Sequence, residues 1–317
     1  MGVRLLNTLI RNKYNKKNVI HIKELKGKKI AIDTNLYIYK YMNSKNIIET
    51  FYKLCNLFIK YKIQPIFIFD GEIPEEKKEE IIIRKEKKKE AEMEHDKLME
   101  CLNDITDENE KKKVLNKINI LKTKFVRVKR VLIKEIKLLI EAFGLTTIYA
   151  PDEGEKLCSY LEINNIIDGV LTEDSDVFVY GCKNVYTNIN IKNETVSLYN
   201  YEYILNKLNI TKNELMYLCV ISNNDYNHNN INIITNYNNW IEYKNNNIYN
   251  KSLILTYLLE NFTRYNITLS NINNMYNIYT FYNNTSLSKY NKIKIYNKRI
   301  NIDNIKEIME KYKFIFI

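Results

Sequence analysis

The sequence predicts an α/β fold with a central, mainly parallel sheet and helices on both of its faces. Two observations predict it. Three short apolar runs, KKIAIDTN (28–35), QPIFIFDG (64–71) and DGVLTEDSD (168–176), each read as a strand and each deliver an aspartate near the end. Runs this short and continuously apolar are buried on both faces, and the stretches between them are long enough for crossovers. The segment IIETFYKLCNLFIKY (47–61) supplies the helix between the first two strands, with apolar residues returning every three or four positions.

The next segment changes character. From Lys77 to Lys137 there are 19 Lys or Arg against 13 Asp or Glu, in a helical pattern without proline. TDENE (106–110) divides it into two helices. One reading is a solvated helical hairpin laced by i,i+4 charge pairs; the other is a basic arm that grips phosphates, and charge alone does not separate them. In YAPDEGEKLCSYLE (149–162), Pro and Asp precede an apolar-periodic stretch and start a helix. Beyond about residue 190 the chain is rich in Asn, Ile, Tyr and Lys, as in NNDYNHNNINIITNYNNW (223–240). That bias matches an AT-rich coding genome as well as any structural need, and it is compatible with a viral or parasite source. Its interspersed Ile, Leu and Tyr still supply a core, so residues 231–317 read as a mainly helical C-terminal region after a core of residues 1–230.

The balance of charge narrows the partners. A net charge of +11 on a chain that is 45% hydrophobic suits a folded protein with a polyanionic partner, nucleic acid before anionic membrane, or a surface kept basic for solubility. Five cysteines stand at 55, 101, 158, 182 and 219 with no C-x-x-C pair. That spacing supports neither a zinc nor a redox motif and suits thiols in a reducing, intracellular compartment. MGVRLL begins like a myristoylation site but has Leu6 where Ser or Thr is required. No apolar run is long enough to span a bilayer, so no membrane role is expected.

The chemistry lies in the acids. Ligands of parallel α/β sheets bind at the carboxyl ends of the strands, where Asp33, Asp70 and Asp174 are expected. One such acid caps a helix or forms a turn; three from separate strands converge on one face, which capping does not explain. Asp176 follows two residues after Asp174. Glu153 and Glu155 start a helix, where interaction with its dipole, about 0.3–1 kcal/mol each, suffices for them in isolation. Asp225 follows the apolar LMYLCVIS in a polar loop. Together these seven carboxylates repel one another unless cations offset the charge. Hard divalent ions with oxygen ligands are the natural counterweight, Mg²⁺ above all. Two such ions about 4 Å apart can activate a water and stabilise the leaving oxygen of a phosphodiester. The charge that two ions leave over calls for nearby Lys or Arg. Glu173 is expected to turn away from Asp174 by strand alternation and not to ligate.

The order MGVRLLNTLI, IAIDTNLYIY, FIFDGEIPEEKK, APDEGEKLC, LTEDSDVFVYG and NNDY resembles the flap endonuclease/XPG family of structure-specific 5′ nucleases, over about residues 1–226. The resemblance implies a PIN-like (Rossmann-like) nuclease core, a helical arch over about 75–141, and a two-metal site that uses Mg²⁺, with Mn²⁺ as a substitute. It implies a cut in branched or flapped DNA near a single-strand/duplex junction, in replication, recombination or repair, by a monomer in the nucleus or at a viral replication site. Asp33, Asp70, Glu153, Glu155, Asp174, Asp176 and Asp225 fall on the family's acidic positions. Lys77 and Arg84 fall on the basic pair at the base of the arch, and their seven-residue spacing puts both on one helix face. Lys124 and Arg127 fall on basic positions of the second arch helix. Tyr39 matches the aromatic on which a terminal base stacks, with core packing as its other reading, and Gly2 matches the small residue near the active site.

Two departures stand out. The family's Gly-x-Gly hairpin, which grips duplex and binds K⁺, is replaced by a glycine-free stretch at 227–240. The tail EIMEKYKFIFI lacks the Q-x-x-L-x-x-F-F clamp-binding pattern, so no sliding-clamp partner is expected through it. The absence of a long insertion between Asp70 and Glu153 favours the flap endonuclease type over the XPG repair branch. A 5′ exonuclease or junction resolvase on the same core, and a non-catalytic DNA-binding scaffold, are the alternatives.

Overall fold

In the computed structural model the apolar runs form the middle of a seven-stranded sheet. The structure describes residues 2–14, 18–42, 46–72, 74, 77–102, 107–125, 127–226, 230–246, 253–261, 272–273, 276, 295–296 and 298–314. The strands are β1 (Val19–His21), β2 (Lys29–Asp33), β3 (Gln64–Phe69), β4 (Thr146–Tyr149), β5 (Gly169–Leu171), β6 (Asn184–Asn190) and β7 (Thr195–Asn200), in the order β1-β7-β6-β5-β2-β3-β4. The five from β6 to β4 run parallel, while β7 is antiparallel to β6 and β1 to β7. The mainly parallel sheet expected from sequence is therefore present, with an antiparallel margin that its short or Asn-rich strands did not announce.

The α-helices are α1 (Leu6–Lys13), α2 (Thr34–Tyr41), α3 (Ile47–Lys60), α4 (Lys78–Cys101), α5 (Glu108–Lys124), α6 (Arg130–Ala142), α7 (Gly154–Ile163), α8 (Asp176–Tyr180), α9 (Tyr201–Leu208), α10 (Lys212–Ile221), α11 (Ile233–Asn246), α12 (Leu253–Glu260) and α13 (Ile302–Lys311), with a 3-10 helix at Ile22–Leu25. The sheet is buried on both faces by alternation along its strands. Ile30, Ile32, Phe67 and Phe69 join the core under α3, α6 and α13, whereas Ala31, Ile66 and Ile68 join the core under α1, α7, α8 and α10. In α3, Phe51, Leu54 and Phe58 form its inner face and are at most 1% exposed; burying each contributes about 1.5–3 kcal/mol. Asn46 caps that helix through the Glu49 N–H at 3.2 Å.

The charged stretch read from 75 to 141 divides in two. Helices α4 and α5 lie against each other, with Ala91, Ile118 and Leu121 as their buried apolar residues. Exposed pairs tie the two, such as Lys117 Nζ to Glu94 Oε1 at 2.7 Å. The break between them, capped by Asp107, falls where TDENE predicted it. Helix α6 belongs instead to the core: Ile136, Leu139 and Ile140 are fully buried, and the helix packs on α3. Its charges cover only its outer side, so its sequence resembles that of α4 and α5 while its inner face does not.

The C-terminal residues pack onto this body. Ile233, Tyr237 and Trp240 of α11 share a core with α1 and α10, and Ile305, Ile308 and Met309 of α13 share one with α6. The chain entering α13 hydrogen-bonds along the end of α6, Lys298 N–H to Gly144 O at 2.8 Å and Asn301 N–H to Ala142 O at 2.7 Å. Of the glycine-free stretch 227–240, residues 227–229 lie outside the described residues, as do residues 315–317 of the tail; residues 233–246 are helical. No helix among the described residues is long and apolar enough to cross a membrane.

Candidate active site

The carboxyl ends of β2, β3 and β5, neighbours in the sheet, open into one cleft of about 810 Å³. Asp33 ends β2 and is the N-cap of α2. Its Oδ1 accepts the Leu36 N–H at 3.3 Å, so the capping reading holds for one oxygen, while Oδ2 accepts the Thr172 hydroxyl at 2.9 Å. Asp70 follows β3; its Oδ1 accepts the Gly154 N–H at 3.0 Å and its Oδ2 the Asn35 amide at 2.5 Å. Strand β5 stops at Leu171, so the predicted strand 168–176 is shortened and Asp174 lies in the turn that leads into α8. There Asp174 Oδ1 accepts the Asp176 N–H at 3.0 Å, and Asp176 Oδ1 accepts the Val3 N–H at 3.1 Å.

That last bond draws the N-terminal segment into the acids. Gly2 has φ +78°, and a Cβ on it would stand 2.2 Å from Asp176 Oδ1 and 2.6 Å from Asp174 Oδ1. Position 2 therefore requires glycine on both backbone and steric grounds.

Lys77, just before α4, is 8% exposed and provides the positive centre. Its ammonium pairs with Glu153 Oε1, lies 3.4 Å from Glu155 Oε1 and 3.5 Å from Asp225 Oδ2. Arg84, two turns along, donates from Nη2 to Asp225 Oδ1 at 2.8 Å and from Nε to Glu80 at 2.7 Å. The predicted shared face is thus realised. Glu153 is the N-cap residue of α7 but makes no cap bond with its side chain, and Glu155 follows in the first turn. Both carboxylates turn to Lys77, so the helix dipole alone does not account for them.

Burial and mutual repulsion raise Asp33, Glu155 and Asp176. Asp33 is pushed up to about 7 by burial, Asp70 and Asp174. Glu155 is raised well above the usual range by burial and then Glu153, and Asp176 by burial and then Asp174. Burial opposes the Lys77 charge, but Glu155, Glu153, Asp176 and Asp225 together outweigh it and hold the ammonium firmly protonated.

Two family models match the chain: the XPG N-terminal domain over residues 1–91 and the XPG I-region over residues 144–225. The chain belongs to the XPG family. The two matches span more than half of it and carry all seven acids, with Asp225 at the last matched position. Among relatives, the probable RAD2-like endonuclease 369L of Invertebrate iridescent virus 6 is 29% identical over 281 residues, covering 72% of this chain and 68% of its own. Flap endonuclease 1 of Pyrococcus furiosus is 31% identical over 242 residues, covering 66% of each chain. The chain thus spans about two thirds of the length of these relatives. The fold matches that of the catalytic core of Rad2 in complex with a DNA substrate, with a TM-score of 0.67 at 21% identity over 98% of this chain and 95% of that one.

Within this XPG-family site, the other predicted residues separate. Tyr39 on α2 is 51% exposed at the cleft, with Lys88 Nζ 5.6 Å from its ring centre; the core-packing reading does not hold. Lys124 and Arg127 lie outside the cleft lining, and Arg127 Nη2 binds Glu92 of α4 at 2.6 Å. Glu173 needs a different account from the one strand alternation gave. It lies beyond the end of β5, at the cleft rim, where its carboxylate pairs with Lys40 and its carbonyl accepts the Asn7 amide at 3.1 Å. Two residues went unnoticed in the sequence. Tyr226 donates its hydroxyl to Glu153 Oε2 at 3.0 Å and sets its ring 5.1 Å from Lys77 Nζ, and Thr172 binds Asp33. Their only signal was adjacency to Asp225 and to the Glu173–Asp174 pair.

Among the described residues no three His, Cys, Asp or Glu side chains are arranged to hold a metal ion as they stand. The Lys77 ammonium lies among Glu153, Glu155 and Asp225. The donor set nevertheless fits a hard divalent cation: it is all carboxylate, and seven carboxylates stand against the two positive charges of Lys77 and Arg84.

Proposed function

We propose that this protein is a divalent-metal-dependent, structure-specific 5′ nuclease that hydrolyses a DNA phosphodiester near a single-strand/duplex junction, of flap endonuclease type. The observation that carries the reading is the meeting of Asp70, Glu153, Glu155, Asp174 and Asp225 with Lys77 and Arg84 in one cleft beneath α4, with Asp33 and Asp176 buried beside Asp174. Asp33, Asp70, Glu153, Glu155, Asp174, Asp176 and Asp225 would hold two Mg²⁺ ions, or Mn²⁺ in their place. Bound there, such ions supply Lewis acidity to the phosphodiester and lower the pKa of water.

The chain's own residues do the rest. Lys77 and Arg84, drawn to carboxylates here, exchange part of that contact for the scissile phosphate and stabilise its developing charge. Tyr39 offers an exposed ring face for a terminal base, as stacking requires. Lys85 and Lys88 continue the basic face of α4 along the cleft wall, and Lys124 and Arg127 add phosphate contacts farther out on the arch. Binding through phosphates makes activity fall steeply with salt.

The test is cleavage of an end-labelled 5′-flap duplex, with Mg²⁺ against EDTA and wild type against Asp174→Ala. The expected result is a Mg²⁺-dependent cut at the flap base, slowed at least about 10³-fold in the variant while DNA binding persists. Stepwise mononucleotides would replace this reading with an exonuclease, and paired symmetric nicks with a junction resolvase. Binding without any cut would leave a DNA-binding scaffold.

A further inference from the structure

We propose that Tyr226 is a positioning residue of the reaction: its hydroxyl holds Glu153 while the Lys77 ammonium moves from that carboxylate to the DNA phosphate. The inference rests on the metal-dependent reading above.

Tyr226 touches both members of the pair that must separate. Glu153 has one of these donors on each oxygen, the Lys77 ammonium on Oε1 and the Tyr226 hydroxyl on Oε2 at 3.0 Å. The Tyr226 ring also stands 5.1 Å from Lys77 Nζ. The side chain of Glu153 makes no cap bond with α7, so the two donors, rather than the start of that helix, orient the carboxylate.

The donors differ in kind. Lys77 is a charge on a flexible four-carbon stem, shared among Glu153, Glu155 and Asp225. Tyr226 carries its hydroxyl on a rigid ring with two side-chain torsions. Its backbone is fixed as well. The Tyr226 N–H donates to Asn224 Oδ1 at 2.8 Å, and Asn224 Nδ2 donates to the carbonyls of Cys219 at 2.8 Å and Ser222 at 3.0 Å. Asn224 is buried, so the loop that delivers Asp225 and Tyr226 is tied from inside to the end of α10.

This arrangement matters when DNA enters. A phosphate that draws Lys77 away takes from Glu153 a hydrogen bond and a counter-charge, while Asp225 continues to repel it. A carboxylate with no other donor would then be free to turn. The Tyr226 hydroxyl cannot follow the ammonium, so Oε2 stays pinned and Oε1 is released as a ligand for a divalent cation. A tyrosine that only filled space would matter equally to Glu153 with or without Lys77. One that takes over from Lys77 matters more once the ammonium is gone.

The test is a double-mutant cycle on Mn²⁺ binding to the full chain without DNA, read from the free-ion EPR signal. Lys77→Met imitates the departed ammonium, and Tyr226→Phe removes only the hydroxyl. The expected loss of Mn²⁺ affinity on Tyr226→Phe is about 10–100-fold in the Lys77→Met background and at least about 10-fold smaller beside Lys77. Single-turnover cleavage of the 5′-flap duplex by Tyr226→Phe alone gives a second reading that does not depend on the Lys77 variant. Its rate at saturating DNA should be about 10-fold lower with DNA affinity unchanged. Equal losses in the two backgrounds would overturn the proposal and make Tyr226 an ordinary support of the DNA-free site. An unchanged saturating rate would also overturn it and leave the metal-dependent reading intact. Absence of Mn²⁺ binding by the wild type would overturn both.

Discussion

Lys77 and Arg127 both belong to the charged stretch that crosses the cleft, yet they are built into the molecule in opposite ways. Lys77 is 8% exposed and faces three carboxylates, two from the start of α7 and one from the loop after α10. The Arg127 side chain is 76% exposed and meets one glutamate on the neighbouring helix. The same contrast runs through their surroundings. The floor of the cleft is held by hydrogen bonds from Val3, Asn35, Gly154 and Thr172, whereas the hairpin of α4 and α5 leaves Ile82, Met93 and Ile120 more than half exposed. Charge on the floor is placed by the fold; charge on the hairpin is mostly solvated, and only its base enters the site's electrostatics.

The largest effect that can test this contrast comes from Lys77→Met. Glu153, Glu155 and Asp225 would be left facing one another at low exposure. Breaking such a buried pair costs about 3–5 kcal/mol in metal-free protein, and cleavage should fall about 10²–10³-fold. Denaturant melts with and without Mn²⁺ check it, the ion restoring part of the lost stability. A metal-free variant as stable as wild type would mean that the ammonium is not the counter-charge of the floor.

A pH effect follows next. Asp33 binds its proton more tightly folded than unfolded, being pushed up to about 7 against an ordinary value of 3.8. Between those values the folded state holds more protons, so in EDTA this group makes stability fall as pH rises from about 4 to 7. Melting temperatures at pH 5 and 7.5 read the slope, and Asp33→Asn should flatten it. Strain on the floor gives a smaller term. Leu5, three residues beyond Gly2, has φ +67°, a left-handed conformation that costs a non-glycine residue about 1–2 kcal/mol. Leu5→Gly should relieve part of that strain and raise the melting temperature.

The smallest change is expected on the hairpin. Replacing Lys124 and Arg127 together by Ala should shift stability by less than about 0.5 kcal/mol. It should also lower the salt slope of DNA binding by about 1–2. A loss of cleavage comparable to that of Lys77→Met would erase the distinction between base and hairpin.

The sequence made the acids legible because their positions follow from strand geometry. Asp33 and Asp70 close runs of Ile and Phe that are buried on both sheet faces, and such runs are read without ambiguity. Asp225 gave no such signal: it follows a helix in a polar loop, and only its meeting with Lys77 and Arg84 shows its place. Helix α6 was merged with the hairpin because its outer Lys and Glu match those of α4, and its inner Ile136, Leu139 and Ile140 were the discriminating residues. The edge strands β1 and β4 escaped notice because they have three and four residues, and β6, inside the sheet, because Asn and Thr interrupt its apolar positions. Glu173 was assigned by alternation along a strand that had already ended two residues earlier.

The order of the sheet has a consequence for how the protein comes to exist. The acids that share the cleft arrive in sequence at 33, 70, 153, 155, 174, 176 and 225, and β2 stays without one of its two neighbours until β5 has been made. A chain still on the ribosome that has delivered Asp70 and Lys77 but not Asp225 has the pieces of the cleft and no closed constellation. Whatever the site does, it is assembled only after the chain as far as Asp225 has left the exit tunnel.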